Sequence, residues 1–132
     1  MKRATPVGVG AKTHRELRAW QLADAVRQRI IALLANPVVA RDFGFCDQAQ
    51  RAAASGCRNL AEGFYRHRHR EFANFVNISR ASLGELLDSI DEARIKHYLT
   101  PEAHASLEAQ IGEAMRVANG LYRYLRTTPD RP

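Results

Sequence analysis

The spacing of apolar residues constrains the fold of this chain more than any other feature of its sequence. In two long segments, small and apolar residues recur alternately four and three positions apart. The two series are Phe72, Val76, Ser79, Leu83, Leu86, Ile90 and Ala93, and then Leu107, Ile111, Ala114, Ala118, Leu121 and Leu125. This spacing is typical of helices that pack side by side at roughly 20°. The pattern therefore predicts two long helices in a bundle.

A further helix is predicted near the start of the chain, over residues 14–35. Thr13 and Glu16 have the spacing of a capping box, in which each side chain bonds to the backbone N–H of the other residue. Leu17, Trp20, Ala23, Val26, Ile30 and Leu33 then fall on one helical stripe. Asn36-Pro37 is expected to end this helix.

The remaining helix is predicted over residues 47–66, after a loop through Gly44. Asp47 and Gln50 have capping-box spacing at its start. Its inward face is made of small residues: Ala49, Ala52, Ala53, Gly56 and Cys57. Small side chains let a neighbouring helix approach closely, so this helix is expected to be tightly packed.

These patterns together predict an all-α fold, a single up-down-up-down antiparallel four-helix bundle, because short loops force neighbouring helices to alternate in direction. The expected helices span residues 14–35, 47–66, 70–97 and 101–126. A chain of 132 residues is long enough for one such domain, placed at residues 13–127. Residues 1–12 are expected to be a flexible basic tail, and residues 128–132 a disordered C-terminus.

The charge of the chain points to an anionic partner. There are 20 lysines and arginines against 14 acidic residues, which gives a net charge of +6. RNA, DNA or a membrane surface would fit this excess, although an ordinary basic surface without a partner would also explain it. No apolar run approaches the roughly 18 residues of a membrane span, so no membrane role is expected. The two cysteines cannot build a disulfide framework, which favours a reducing, cytoplasmic location.

Antiparallel threading predicts that most of the excess charge collects at one end of the bundle. The candidate nucleic-acid-binding residues there are Lys12, Arg15, Arg18, Arg66, Arg68, Arg70, Arg123 and Arg126. Three acidic residues, Glu16, Glu62 and Glu71, oppose them, leaving a local excess of about five positive charges. The middle of the third helix is acidic instead, with Glu85, Asp88, Asp91 and Glu92.

The densest basic stretch, residues 66–70, lies between two aromatic residues, Tyr65 and Phe72. Guanidinium groups bind phosphate oxygens, and an aromatic ring can stack on an unpaired base. A solvated turn whose cations complement the C-terminal dipole of the second helix is the alternative. Under the binding hypothesis, charge reversal at Arg66, Arg68 and Arg70 weakens binding and flattens its salt dependence.

No catalytic, cofactor or metal site is evident in the sequence, so an enzyme is not expected. Arginines flank His67 and His69 and would repel a cation, and Cys57 lies in the stripe of small residues, where it fits a packing role. A structural polar network that fixes helix register is expected from four residues on or near core faces: Asn59, Glu62, Ser79 and Ser82. An arginine, Arg58 or Arg66, is expected to compensate Glu62.

Several short motifs resemble one known family. They are Phe43-Gly44-Phe45, Gln50-Arg51-Ala52-Ala53, Asn59-Leu60-Ala61-Glu62-Gly63, Glu71-Phe72 with Phe75, Glu85-Leu86 and Tyr98-Leu99. They resemble the bacterial four-helix-bundle proteins encoded in intervening sequences of 23S ribosomal RNA genes. The Asn-x-Ala-Glu-Gly block is the most specific part. The chain departs from the family at His97, where glycine is usual, and at Gly56.

The resemblance implies a ring-shaped homo-oligomer, a pentamer, and supplies no catalytic residue. In a related branch, the accessory proteins of diversity-generating retroelements, the positively charged ring associates with a reverse transcriptase and nucleic acid. Apolar residues off the main stripes are the candidate oligomer interface here: Ile78, Met115, Val117, Tyr122 and Tyr124. A wider core is the alternative explanation for such residues.

The sequence therefore predicts a non-enzymatic, homo-oligomeric bundle that binds RNA or DNA without strong sequence preference. The alternative is a protein–protein scaffold whose basic end recruits an acidic partner. A bundle enzyme is a third, less favoured class.

Overall fold

Four long helices form the body of the molecule in the computed structural model, which describes residues 10–130. A 3-10 turn at His14–Glu16 precedes α1 (Arg18–Leu34), and the short α2 (Pro37–Ala40), α3 (Phe43–Phe64), α4 (His69–Ile95) and α5 (Pro101–Thr127) follow. The helix α1 packs against α3 and α5, and α4 packs against the same two helices, so the four rods close into an antiparallel bundle. The predicted fold is confirmed.

Residues 10–130 contain no β-strand, and no helix among them is both long enough and apolar enough to cross a lipid bilayer. The predicted tail falls largely on residues 1–9, which lie outside the described residues, as do residues 131–132 of the predicted disordered C-terminus.

The start of the first helix differs from the prediction. The capping residues Thr13 and Glu16 enclose the 3-10 turn, and α1 begins only after Leu17. The Glu16 carboxylate accepts a hydrogen bond from the Thr13 backbone N–H at 3.2 Å and a second one from that of Lys12. Leu17 has an extended backbone and is fully buried, so anchoring this side chain in the core separates the turn from the helix.

The start of the second long helix was predicted four residues too late. Helix α3 begins at Phe43, and its N-cap is Asp42, whose carboxylate accepts the Phe45 N–H at 3.2 Å. Gly44 lies inside the helix, where burial of Phe45 and the Asp42 cap outweigh the low helix propensity of glycine. Asp47 instead forms an exposed ion pair with Arg51 at 3.2 Å.

The hydrophobic core divides into two halves along the bundle axis. The half near the α4–α5 turn includes Val26, Ile30, Phe45, Leu86, Ile90 and Ile111. The half near the α3–α4 turn includes Leu17, Cys57, Leu60, Val76, Leu121 and Leu125. Fully burying one such leucine, isoleucine or valine stabilises the fold by about 1.5–3 kcal/mol. The small face predicted for the second helix is buried throughout.

The turn between α4 and α5 contains His97, one of the two residues at which the chain departs from its family resemblance, and its backbone explains why glycine suits this position. His97 has a φ of 62°, in the left-handed region that favours glycine. The Tyr98 N–H bonds to the Ala93 carbonyl at 2.7 Å and the His97 N–H to that of Arg94 at 3.0 Å, the two bonds of a Schellman motif. This C-cap ends α4 at Ile95, two residues before the predicted end.

Candidate nucleic-acid interface

One end of the bundle brings together the start of α1, the α3–α4 turn and the end of α5. The His14 backbone N–H bonds to the Tyr65 hydroxyl at 3.2 Å, joining the first segment to the second. The His69 backbone N–H bonds to the Asp130 carboxylate at 2.7 Å, joining the second to the third. We call this pole the basic end, defined by eight residues whose side chains are all exposed: Lys12, Arg15, Arg18, Arg66, Arg68, Arg70, Arg123 and Arg126.

Some of these cations form ion pairs or ring contacts within the protein, and others do not. Arg66 pairs with Glu62 at 3.0 Å, and its guanidinium lies 4.9 Å from the centre of the Phe75 ring. Three others, Arg68, Arg70 and Arg123, have no side-chain hydrogen bond or ion pair within residues 10–130. Their guanidinium forks are therefore open to an external anion.

A small cavity on the flank of the basic end contains an arginine that the sequence analysis did not identify. Arg80 of α4 lies with its guanidinium carbon 4.4 Å from the centre of the Tyr122 ring of α5. Arg126 donates to the Tyr122 hydroxyl at 2.8 Å. The cavity has a volume of about 420 Å³ and is lined by Arg80, Asn119, Tyr122, Arg123 and Arg126.

The charge of this region is unbalanced. Nine basic side chains, counting Arg80, face four acidic ones, Glu16, Glu62, Glu71 and Asp130, which leaves five of the chain's six excess positive charges here. At the opposite pole, Lys96 lies between the carboxylates of Asp42 and Glu92, at 2.7 and 2.8 Å. Positive charge is therefore in excess at the basic end, whereas carboxylates neutralise Lys96 at the opposite pole.

Of the two aromatic residues beside the basic stretch, only Tyr65 is accessible. Its side chain is 56% exposed, whereas Phe72 is 6% exposed and belongs to the core. The His14 ring lies edge-on between Trp20 and Tyr65, at centroid distances of 5.0 and 5.8 Å. Burial and the nearby cations Arg15 and Arg27 lower the pKa of His14. A stacking role for Phe72 is excluded by its burial.

Buried and half-buried polar residues between α3 and α4 form two separate hydrogen-bonded groups, which include Ser55 in addition to the predicted Asn59, Ser79 and Ser82. Ser79 donates to the Gly56 carbonyl at 2.6 Å, and the Ser82 and Ser55 hydroxyls are 2.7 Å apart. Asn59 donates to the Ser55 carbonyl and hydroxyl, at 2.9 and 3.0 Å. Ser55 was missed because a serine in a helix carries no distinctive signal in one sequence.

Glu62 lies outside these groups, contrary to the prediction. It is exposed, and its partner is Arg66, one of the two arginines expected to compensate it. Glu62 lies in the last turn of α3, and Arg66 follows the C-cap of that helix, so the pair forms at the exposed end of the helix and not in the core.

Two of the residues considered for chemistry, Cys57 and His69, are engaged in packing or in a local hydrogen bond. Burial raises the pKa of the Cys57 thiol to about 11, so the group is protonated at neutral pH. The His69 ring lies 2.8 Å from the Thr128 carbonyl and packs near Tyr124, which turns it toward the C-terminal segment.

The candidate oligomer-interface residues divide into two groups. Ile78 is 48% exposed, while Met115, Val117, Tyr122 and Tyr124 are partly buried and pack against the core of their own chain. Other large apolar side chains are exposed instead: Ile31, Val38, Phe43 and Ile95. Ile31 also lines a groove of about 570 Å³ between α1 and α3.

The fold and its charge define a class of protein: an antiparallel four-helix bundle with a strongly basic end. The sequence profile of the 23S rRNA-intervening sequence protein family matches residues 15–120. The chain belongs to this family. A sequence comparison with curated proteins gives no match.

Proposed function

We propose that this chain is a non-enzymatic, homo-oligomeric accessory protein that binds RNA or DNA through its basic end without strong sequence preference. The observation that carries the proposal is the excess of five positive charges at one end of the bundle, where eight of the nine basic side chains are exposed to solvent and the ninth, Arg80, is half-buried. Phosphate contacts of this kind supply affinity and carry no sequence information.

The arrangement suits a flexible phosphate backbone. Arg68, Arg70 and Arg123 offer unengaged guanidinium forks, each able to hold two phosphate oxygens. Tyr122 supports Arg80 by stacking and Arg126 by a hydrogen bond, so both cations are held beside the same cavity. Tyr65 adds an exposed ring on which a base can stack.

Self-association would raise the affinity for nucleic acid above that of one basic end alone. The exposed apolar residues Ile31, Val38, Phe43, Ile78 and Ile95 offer surface that a second copy could cover. In a ring with its basic ends on one rim, several weak phosphate contacts would act together. Light scattering tests this part: a pentamer has five times the 14.8 kDa mass of one chain, and a monomer at micromolar concentration would contradict it.

The binding proposal is tested by the salt dependence of affinity for a single-stranded oligonucleotide. One variant neutralises the three unengaged guanidinium groups, with Arg68→Gln, Arg70→Gln and Arg123→Gln. The matched control also removes three positive charges, but at positions that lie outside the basic end, with Arg41→Gln, Arg51→Gln and Arg94→Gln. Removing one arginine that binds a phosphate of a single strand should reduce the slope of log K against log salt by about 0.7.

We expect a slope shallower by about 2 for the basic-end variant and a parental slope for the control. Equal slopes in all three proteins would contradict nucleic-acid binding by this end. A parental chain without salt-dependent affinity for RNA or DNA would favour the other candidate function, a scaffold whose basic end recruits an acidic protein partner.

A further inference from the structure

At the pole opposite the basic end, three potential metal ligands converge. Asp91 comes from the end of α4, and His104 and Glu108 come from the first two turns of α5. One ligand atom of each residue lies within 4.8 Å of those of the other two. The α4–α5 turn brings these groups together although Asp91 and His104 are 13 residues apart in sequence.

The histidine of this cluster is held firmly in place. His104 is only 8% exposed, and its Nε2 atom lies 2.7 Å from a carboxylate oxygen of Asp91. Glu108 follows His104 by one helical turn, so both side chains lie on the same face of α5. Burial of the imidazole fixes the position of one ligand, while the exposed side chains of Asp91 and Glu108 can still rotate.

The surroundings of the carboxylates lack a fixed cation. Within residues 10–130, no lysine or arginine forms an ion pair with Asp91 or Glu108. The nearby Lys96 is already shared between Asp42 and Glu92. Asp91 also lies near the C-terminus of α4, where the helix dipole favours a positive charge over a negative one. A bound cation would neutralise both carboxylates.

We propose that Asp91, His104 and Glu108 form a binding site for a divalent transition-metal ion of the Zn²⁺ type, with water completing the coordination. One imidazole nitrogen and two carboxylate oxygens are donors that such ions accept. Metal–ligand bonds of about 2.0–2.2 Å place ligand atoms roughly 3–4 Å apart. To reach this spacing, the Asp91 carboxylate must move slightly away from His104 and the Glu108 carboxylate must move slightly closer. Both carboxylates are exposed, so small side-chain rotations are sufficient.

Such an ion would clamp the end of α4 to the start of α5 across the turn at His97. Since it would bind the folded chain and not the unfolded one, it would raise the melting temperature, and the rise would increase with the ratio of the free ion concentration to the dissociation constant. The site lies on the pole opposite the candidate nucleic-acid interface, so its occupation does not depend on the proposed function.

The test is calorimetric titration of the metal-free full-length chain with Zn²⁺, alongside melting temperatures with and without the ion. The informative variants are Asp91→Asn and Glu108→Gln, which remove ligands from exposed positions without opening the core. The controls are Asp88→Asn and Glu102→Gln, which make the same changes to exposed acidic residues outside the cluster.

We expect one Zn²⁺ per parental chain, affinity reduced at least about tenfold in each ligand variant, and parental affinity in both controls. His104→Gln should abolish saturable binding and the rise in melting temperature. The proposal is overturned if the parental chain shows no saturable binding. It is equally overturned if Asp91→Asn and Glu108→Gln bind as tightly as the controls, since the ion would then bind elsewhere.

Discussion

Gly63, near the end of α3, lies against the ring of Phe72 at the start of α4. A Cβ atom at Gly63 would come 2.7 Å from Cδ1 of Phe72 and 2.9 Å from Cβ of Phe75. The most specific block of the family resemblance thus ends on a residue whose lack of a side chain permits this approach. The contact holds the end of α3 against the start of α4, on either side of the turn that carries Arg66 and Arg68.

Replacing Gly63 by alanine should destabilise the fold by about 1–3 kcal/mol, because the Phe72 ring and the Cβ atom of Phe75 must shift to accept the methyl group. The matched control is Gly84→Ala in the middle of α4, where an added Cβ meets nothing within 4 Å. That substitution should stabilise the fold by about 0.5–1 kcal/mol. Urea unfolding measures both, and a gain of stability from Gly63→Ala would show that the close approach is not obligatory.

Replacing His97 by glycine should stabilise the fold. A residue with a side chain is strained at a φ of 62°, and relieving that strain outweighs the greater chain entropy of glycine in the unfolded state. We expect a gain of about 0.5–1 kcal/mol in the free energy of unfolding. Ala105→Gly, at an exposed position inside α5, should instead cost about 1 kcal/mol. Equal losses from both substitutions would contradict the strain at His97.

The Asp42 carboxylate should make stability depend on acidity. Hydrogen bonds from Lys96, Tyr98 and the Phe45 backbone lower its pKa from 3.8 to about 2 in the folded protein. A carboxyl group with a lowered folded-state pKa stabilises the fold at a pH above its unfolded-state value, and this contribution is lost as the pH falls toward 2.

Asp42→Asn should therefore flatten the fall in unfolding free energy between about pH 4 and pH 2, while asparagine still caps α3. Asp47→Asn, which removes an exposed ion pair on the same helix, is the control and should retain the parental acid profile. If the two variants have the same profile, Asp42 is not the group responsible.

The cavity beside Tyr122 should contribute to nucleic-acid affinity. Arg80→Gln removes one cation from it, so the slope of log K against log salt should decrease by about 0.7 for a single-stranded oligonucleotide. Arg116→Gln, also on the surface but already paired with Glu113, is the control and should leave the slope unchanged. Equal slopes for Arg80→Gln and the parental chain would place the bound phosphates outside this cavity.

The bundle was predictable because the four-three spacing in α4 and α5 reports directly which residues are buried. The start of α3 was not, since the burial of Phe45 that extends the helix past Gly44 depends on its neighbours in space. The same spacing places Arg80 beside the buried Ser79, at the edge of the buried stripe of α4. Nothing in the sequence, however, indicates that Arg80 contacts Tyr122 of α5. The contact of Asp91 with His104 depends on how the α4–α5 turn is closed. Side-chain partners across helices therefore required the structure.

Ultraviolet crosslinking of a single-stranded oligonucleotide to the full-length chain, followed by peptide mass spectrometry, tests the binding surface most directly. Exposed aromatic side chains lie at both poles, Tyr65 at the basic end and Phe43, which is 82% exposed, at the other. We expect crosslinks at Tyr65 and in the segment containing Tyr122, and none at Phe43. Crosslinks concentrated at Phe43, or spread equally over both poles, would contradict binding by the basic end.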